Sequence, residues 1–126
     1  MPVIIQSKTP YQGTVTPSAL NTETTVIEIK GQRDDYIIDG YLDLSALASG
    51  DTVVVTEYIK VDGVNYRVYA QVTYSGALTE PIIRFYAKLL ITTGGRSNDY
   101  KITIKQTAGT LRSFPYSFLL ELMGTI

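Results

Sequence analysis

Seven times between Thr25 and Leu122 this chain alternates apolar and polar residues with a period of two, and nowhere between those runs does it sustain a helical period. Alternation of this kind marks a strand with one face buried and one face wet. The runs share their apolar faces as follows. Thr25, Ile27 and Ile29 form the first, and Ile38, Gly40, Leu42 and Leu44 the second. Val53, Val55, Ile59 and Val61 form the third, and Val64, Tyr66, Val68, Ala70 and Val72 the fourth. Ile83, Phe85, Ala87, Leu89 and Ile91 are followed by Tyr100, Ile102 and Ile104, and then by Phe114, Tyr116, Phe118, Leu120 and Leu122. Valine, isoleucine, threonine and tyrosine dominate, as a pleated, half-buried surface requires.

The step Asp62-Gly63 is a type I′ hairpin signal, because both central residues of that turn need positive φ. A two-residue turn there pairs Val61 with Val64, Ile59 with Tyr66, Val55 with Ala70 and Val53 with Val72, and the two apolar faces coincide. On the other face Tyr58 pairs with Arg67, whose guanidinium is placed to stack on the ring, and Thr56 pairs with Tyr69. Glu57 is the exception, opposite Val68 on the core face. A bulge turns it out, or it is paired, or that end of the sheet is open. Ser45 to Gly50 reads as one helical turn with Ser45 as its N-cap. Gly31–Asp35, Ser75–Pro81, Gly94–Asn98 and Ala108-Gly109 read as loops. Strands at this spacing predict an antiparallel β-sandwich or jelly roll of about seven to eight strands.

Residues 1–22 differ from the rest. Pro2, Pro10, Pro17 and Gly13 interrupt them, and they read as an extended N-terminal arm in which Val3-Ile4-Ile5 can form a short strand. Residues 23–126 read as a single sandwich domain, a size that one core can support. The net charge of −1 offers no basic field for a phosphate backbone, so no nucleic-acid partner is expected. No run approaches a membrane-spanning length, and the start Met1-Pro2-Val3-Ile4-Ile5 lacks the basic region of a signal peptide.

The chain contains no cysteine and no histidine. Disulfides, thiolate chemistry and the usual general base near neutral pH are therefore absent, and serine–histidine or cysteine–histidine catalysis cannot occur within it. Carboxylates are the remaining catalysts. Glu57 is the best single one, because a carboxyl on an apolar face has a raised pKa, but its structural reading is preferred. Asp34, Asp35, Asp39 and Asp43 gather near the second run. A solvated turn is the favoured reading and a calcium site the alternative, since the ligand spacing of an EF-hand is missing. Gly94-Gly95-Arg96 is too short for a phosphate fingerprint and reads as a loop. No cofactor and no enzymatic activity are expected.

Ten tyrosines and no tryptophan remain. Tyr66, Tyr100 and Tyr116 fall on the core phase. Tyr41, Tyr58, Tyr69 and Tyr86 fall on the wet phase of four different runs. Tyrosine suits interfaces because it joins a large area to a polar tip. The interface candidates are therefore these four, together with Val3, Ile4 and Ile5 of the arm and the tail from Met123 to Ile126. The Pro-rich arm 1–22, the stretch from Tyr41 to Val53 (YLDLSALASGDTV), and the lack of cysteine, histidine and a signal peptide resemble the small all-β virion proteins of tailed bacteriophages and related viruses, of the capsid decoration or tail type. The resemblance implies a non-enzymatic structural protein of the virion, synthesised in the host cytoplasm. Its partners would be further copies of itself and other virion proteins, docked through a sheet face and the terminal arm. A carbohydrate-binding module, with a glycan stacked on tyrosines, is the alternative.

Overall fold

In a computed structural model that describes residues 3–125, each alternating run becomes a strand. These are β2 (Thr24–Ile29), β3 (Tyr36–Asp43), β4 (Thr52–Ile59), β5 (Arg67–Ser75), β6 (Ile82–Leu89), β7 (Tyr100–Ala108) and β8 (Phe114–Thr125), preceded by β1 (Val3–Val15). The molecule is an antiparallel β-sandwich. One sheet has the order β1-β8-β3-β6 and the other β2-β7-β4-β5. Only β4 and β5 are both consecutive and paired; every other connection crosses between the sheets.

The core is the sum of the inward phases. Ile38, Leu42, Phe85, Leu89, Phe114 and Phe118 come from the first sheet, and Ile27, Ile29, Val53, Val55, Ile102 and Ile104 from the second. Tyr36 and Tyr100 are wholly buried among them, and the Tyr36 hydroxyl donates to the Asn98 carbonyl at 2.7 Å. Gly40 faces inward between Phe85 on β6 and Phe118 on β8.

The expected arm lies on its own domain. Residues 3–15 run along β8, with Tyr11 opposite Phe118 and Val15, which is buried, opposite Phe114. Pro10 is tolerated because β1 is an edge strand, where one missing N–H can face solvent. The arm and the tail expected to reach neighbours pair with each other: Val3 with Thr125, Ile4 with Gly124 and Ile5 with Met123. Ile126 lies outside the described residues.

The Asp62-Gly63 hairpin is corrected. The strands end at Ile59 and Arg67, and a loop from Lys60 to Tyr66 joins them. The Asp62 carboxylate accepts the N–H groups of Val64 and Asn65, both at 2.8 Å. A side chain that captures backbone donors competes with the strand ladder. Lys60 N–H is also drawn away, donating to the Asp99 carbonyl at 3.1 Å. The register becomes Val55 to Val72 and Val53 to Tyr74, two residues from the expected one, so the residues from Ala70 onward keep their faces. A bulge between Glu57/Tyr58 and Ala70/Val68 leaves Tyr69 as the extra residue. Val61, Val64, Val68 and Val72 were expected in the core and are exposed, because the loop leaves the sheet, the bulge turns Val68 to the side of Tyr58, and β5 is an edge strand.

The helical turn after Ser45 is also corrected. Two successive turns span Leu44 to Asp51, with Leu47 N–H donating to the Leu44 carbonyl and Asp51 N–H to that of Ala48. The capping oxygen belongs to Asp43, which accepts the Ser45 N–H at 2.8 Å. Ile91, expected to extend the sixth strand, makes only an isolated bridge with Ser97.

Candidate functional site

The outer face of the first sheet carries outward apolar residues on adjacent strands. Its cross-strand rows follow from the register. One runs Pro10, Leu119, Asp39, Tyr86, and the next Gln12, Ser117, Tyr41, Arg84. Tyr41 and Tyr86 therefore sit diagonally on adjacent strands, 51% and 54% exposed, with Ile82 exposed beside them. Between them the Arg84 guanidinium grips the Asp39 carboxylate through both oxygens at 3.1–3.3 Å and lies 5.7 Å from the centre of the Tyr86 ring. A depression of about 350 Å³ lies on one side of Tyr41, lined by Gln12, Thr14, Asp43 and Pro115. A second, of about 290 Å³, lies on the other side, lined by Pro10, Asp39, Ser117 and Leu119. Tyr41 is the ridge between two shallow hollows, a shape that receives protruding side chains rather than encloses a substrate. A larger depression, of about 390 Å³, lies among the loops and includes Lys30, Gly94, Arg96 and Asp99.

The four outward tyrosines do not share this face. Tyr58 lies on the outer face of the second sheet and is occupied by its own chain. Its hydroxyl donates to Glu23 Oε2, which also accepts from Thr103 Oγ1 at 2.7 Å. Tyr66, expected in the core, instead folds over Tyr58, with ring centres 6.2 Å apart in an edge arrangement and its hydroxyl donating to Glu28 at 2.8 Å. The ammonium of Lys101 lies 5.1 Å from the Tyr58 ring and 4.4 Å from the Tyr66 ring. It takes the stacking role expected of Arg67, which the longer loop places opposite Ile59. The bond to Glu23, and then burial, push the Tyr58 phenol up. Partial burial raises the Glu23 carboxyl, but the hydroxyls of Tyr58 and Thr103 with Lys101 and Lys105 outweigh it and hold the group below its usual value. Tyr69 sits at the bulge on the open edge of the second sheet and is 58% exposed.

Glu57 stays on the core face opposite Ala70 and Ile102, and the Tyr100 hydroxyl donates to it. Its partner is thus a phenol, which suits a structural role. Burial raises the Glu57 carboxyl above its ordinary 4.5, only partly offset by the Tyr100 bond. A carboxyl raised in the folded state contributes stability below its unfolded value and loses it as pH rises through the folded value. Glu57→Gln should therefore gain stability relative to the native protein between roughly pH 4 and pH 8. Urea midpoints at both ends of that window check it; a constant difference would reject the assignment.

The aspartates near β3 are each engaged or apart. Asp39 holds Arg84, Asp43 caps Ser45, and Asp35 accepts the Ile91 N–H at 2.6 Å. Among the described residues no group of three or more acidic side chains is placed to hold a metal ion, and no helix is long and apolar enough to cross a membrane. Pro10, Pro115 and Leu119 belong to the outward face but were not singled out from the sequence. The outward phase of Pro115 and Leu119 was readable on β8, whereas Pro10 fell in the expected arm; their adjacency to Tyr41 was not readable, because it depends on strand order.

No protein-family model matches the sequence, and no curated protein matches it. Among solved structures, the chain is similar to the crystal structure of the infectious bursal disease virus VP2 subviral particle, with a TM-score of 0.49 and 15% sequence identity. The match covers 93% of this chain and 33% of that one, so the chain spans about a third of the length of its match.

Proposed function

We propose that this chain is a non-enzymatic structural protein that assembles with copies of itself, and with other virion proteins, through the outer face of its β1-β8-β3-β6 sheet. The observation that carries this reading is the apolar surface formed there on adjacent strands by exposed Tyr41, Tyr86, Ile82 and Pro10 with half-buried Leu119 beside them. Half-exposed aromatics gathered on one face mark a surface that meets another molecule. The strand order supports the virion part. Two four-stranded sheets joined almost wholly by crossing connections have the form of an eight-stranded jelly roll, an architecture used by capsid proteins and by lectins. Capsid decoration or a tail component is the role we assign, with the virion as its place.

The glycan alternative needs a shared aromatic platform. The outward tyrosines divide among two sheet faces and an edge, and Tyr58 is covered by Tyr66, so only Tyr41 and Tyr86 remain for it. Light scattering after gel filtration tests the assembly reading. Tyr41→Ala combined with Tyr86→Ala should weaken self-association or particle binding by at least about tenfold, since central interface aromatics contribute roughly 2 kcal/mol or more each. The melting temperature should change little, because both side chains project from the outer face. Unaltered assembly, or glycan binding abolished by the same pair, would overturn the reading.

A further inference from the structure

We propose that a second copy of this chain adds to the free edge of β5, with Ala70–Tyr74 of the two copies paired antiparallel about Val72 so that two sandwiches join edge to edge. The proposal rests on the self-assembly reading above but names a different surface. β5 pairs with β4 on one side only. An edge strand with free N–H and C=O groups is a template for another strand unless something blocks it. The other three edges are blocked. β1 carries Lys8 and Pro10, β6 carries Arg84 and Lys88, and β2 is six residues long with a bulge and Glu28. β5 has no charge and no proline from Val68 to Ser75, and its one irregularity, at Tyr69, precedes the paired segment.

The core itself stops short at this edge. Val72 faces the same side as its partner Val55, which is 4% exposed, yet Val72 is 49% exposed. Elsewhere, Ile59, Val61, Leu89 and Leu90, with Lys88 and Asn98, line a notch of about 230 Å³ between the end of β4 and the end of β6. A second sandwich set edge to edge would continue the inner layer over Val72. Self-pairing suits this strand because an uncharged segment opposed to itself brings no like charges together, and a two-fold axis lets each Val72 cover the other's neighbourhood. Val68, Tyr69 and Val72 on β5 and Val61 and Val64 in the loop before it are all exposed, apolar surface at this end of the sheet that a second copy would cover in part. Pairing β5 with β5 consumes the one unblocked edge of each copy, so growth through it closes at two.

The absence of cysteine makes the test direct. Gln71→Cys, Val72→Cys and Thr73→Cys each introduce a single thiol, and mild oxidation of the full chain should give a disulfide-linked dimer from at least one of them. Thr25→Cys, exposed on β2 and away from both proposed surfaces, should give none. Thr73→Lys, at an exposed position, should raise the dissociation constant of the dimer at least tenfold in light scattering while the monomer keeps its cooperative melt. Linkage at β5 that persists in the Tyr41→Ala, Tyr86→Ala background supports this interface whatever becomes of the sheet-face reading. Assembly that depends on those tyrosines with no linkage at any β5 position overturns this proposal alone. A monomer at all concentrations overturns both.

Discussion

Gly40→Ala is expected to destabilise the protein by more than about 3 kcal/mol, the upper end of what overpacking a core usually costs. Gly40 faces inward where β3 crosses between β6 and β8. A Cβ there would lie 2.6 Å from Phe118 Cα and would also strike the Ser117 carbonyl oxygen. Both obstacles are backbone, so no rotamer change relieves them, and β3 would have to separate from β8. That separation would also disturb Phe85 and Phe118, whose rings pack 5.8 Å apart above the glycine. Urea unfolding at neutral pH measures the loss. A variant within about 1 kcal/mol of the native protein would mean that the two strands are less closely apposed than described.

Gly109→Ala should be the second most damaging small change. Gly109 has φ +88°, a conformation that costs a residue with a side chain roughly 1–3 kcal/mol. The added methyl would also lie 2.7 Å from Asp51 Cα and 2.9 Å from its Cγ. Asp51 is buried and ties three segments together. Its carboxylate accepts Ala48 N–H at 2.9 Å, Arg112 Nε–H at 2.8 Å and Thr110 N–H at 3.0 Å, while its carbonyl accepts Gly76 N–H at 2.9 Å. The Ala48 N–H, then Arg112, and then Thr110 hold the Asp51 carboxyl below its ordinary 3.8 against the opposing effect of burial. A depressed carboxyl contributes stability above its unfolded value and loses it as pH falls through the folded one. The deficit of Gly109→Ala should therefore be full at neutral pH and shrink at roughly pH 2.5. Asp51→Asn should remove the same acid dependence without the added methyl. Equal deficits at both pH values in both variants would show that Asp51 is not the group disturbed.

The alternation from Thr25 onward specified which segments are strands and, for most residues, which face they show. Ile38, Leu42, Ile102, Ile104 and Phe118 are buried as their phase predicts, and Tyr41 and Tyr86 are exposed. The misplacements have local causes. Tyr66 left the core because the Asp62 side chain took backbone donors that a two-residue turn would have used, and the freed loop carried Tyr66 over Tyr58. Val72 has the right phase but lies at the margin of a sheet, and Val68 is turned out by the bulge at Tyr69, neither of which phase encodes. Gln106, on the inward phase of β7, gave no signal either. It is buried because its amide donates to the Ala108 and Thr110 carbonyls and accepts the Arg112 N–H, closing the loop before β8.

What the residues determined alone was therefore the strand content and the two-sided character of each strand, because both arise from sterics and burial within a few residues. The tertiary structure decided which outward residues share a surface. It set Tyr41 beside Tyr86 on one sheet, put Tyr58 on the other under its own loop, and joined Val3 to Thr125 so that the expected arm and tail became neighbours. Those outcomes depend on strand order. Strand order is fixed by pairing and packing between segments far apart in the chain, which no local period records.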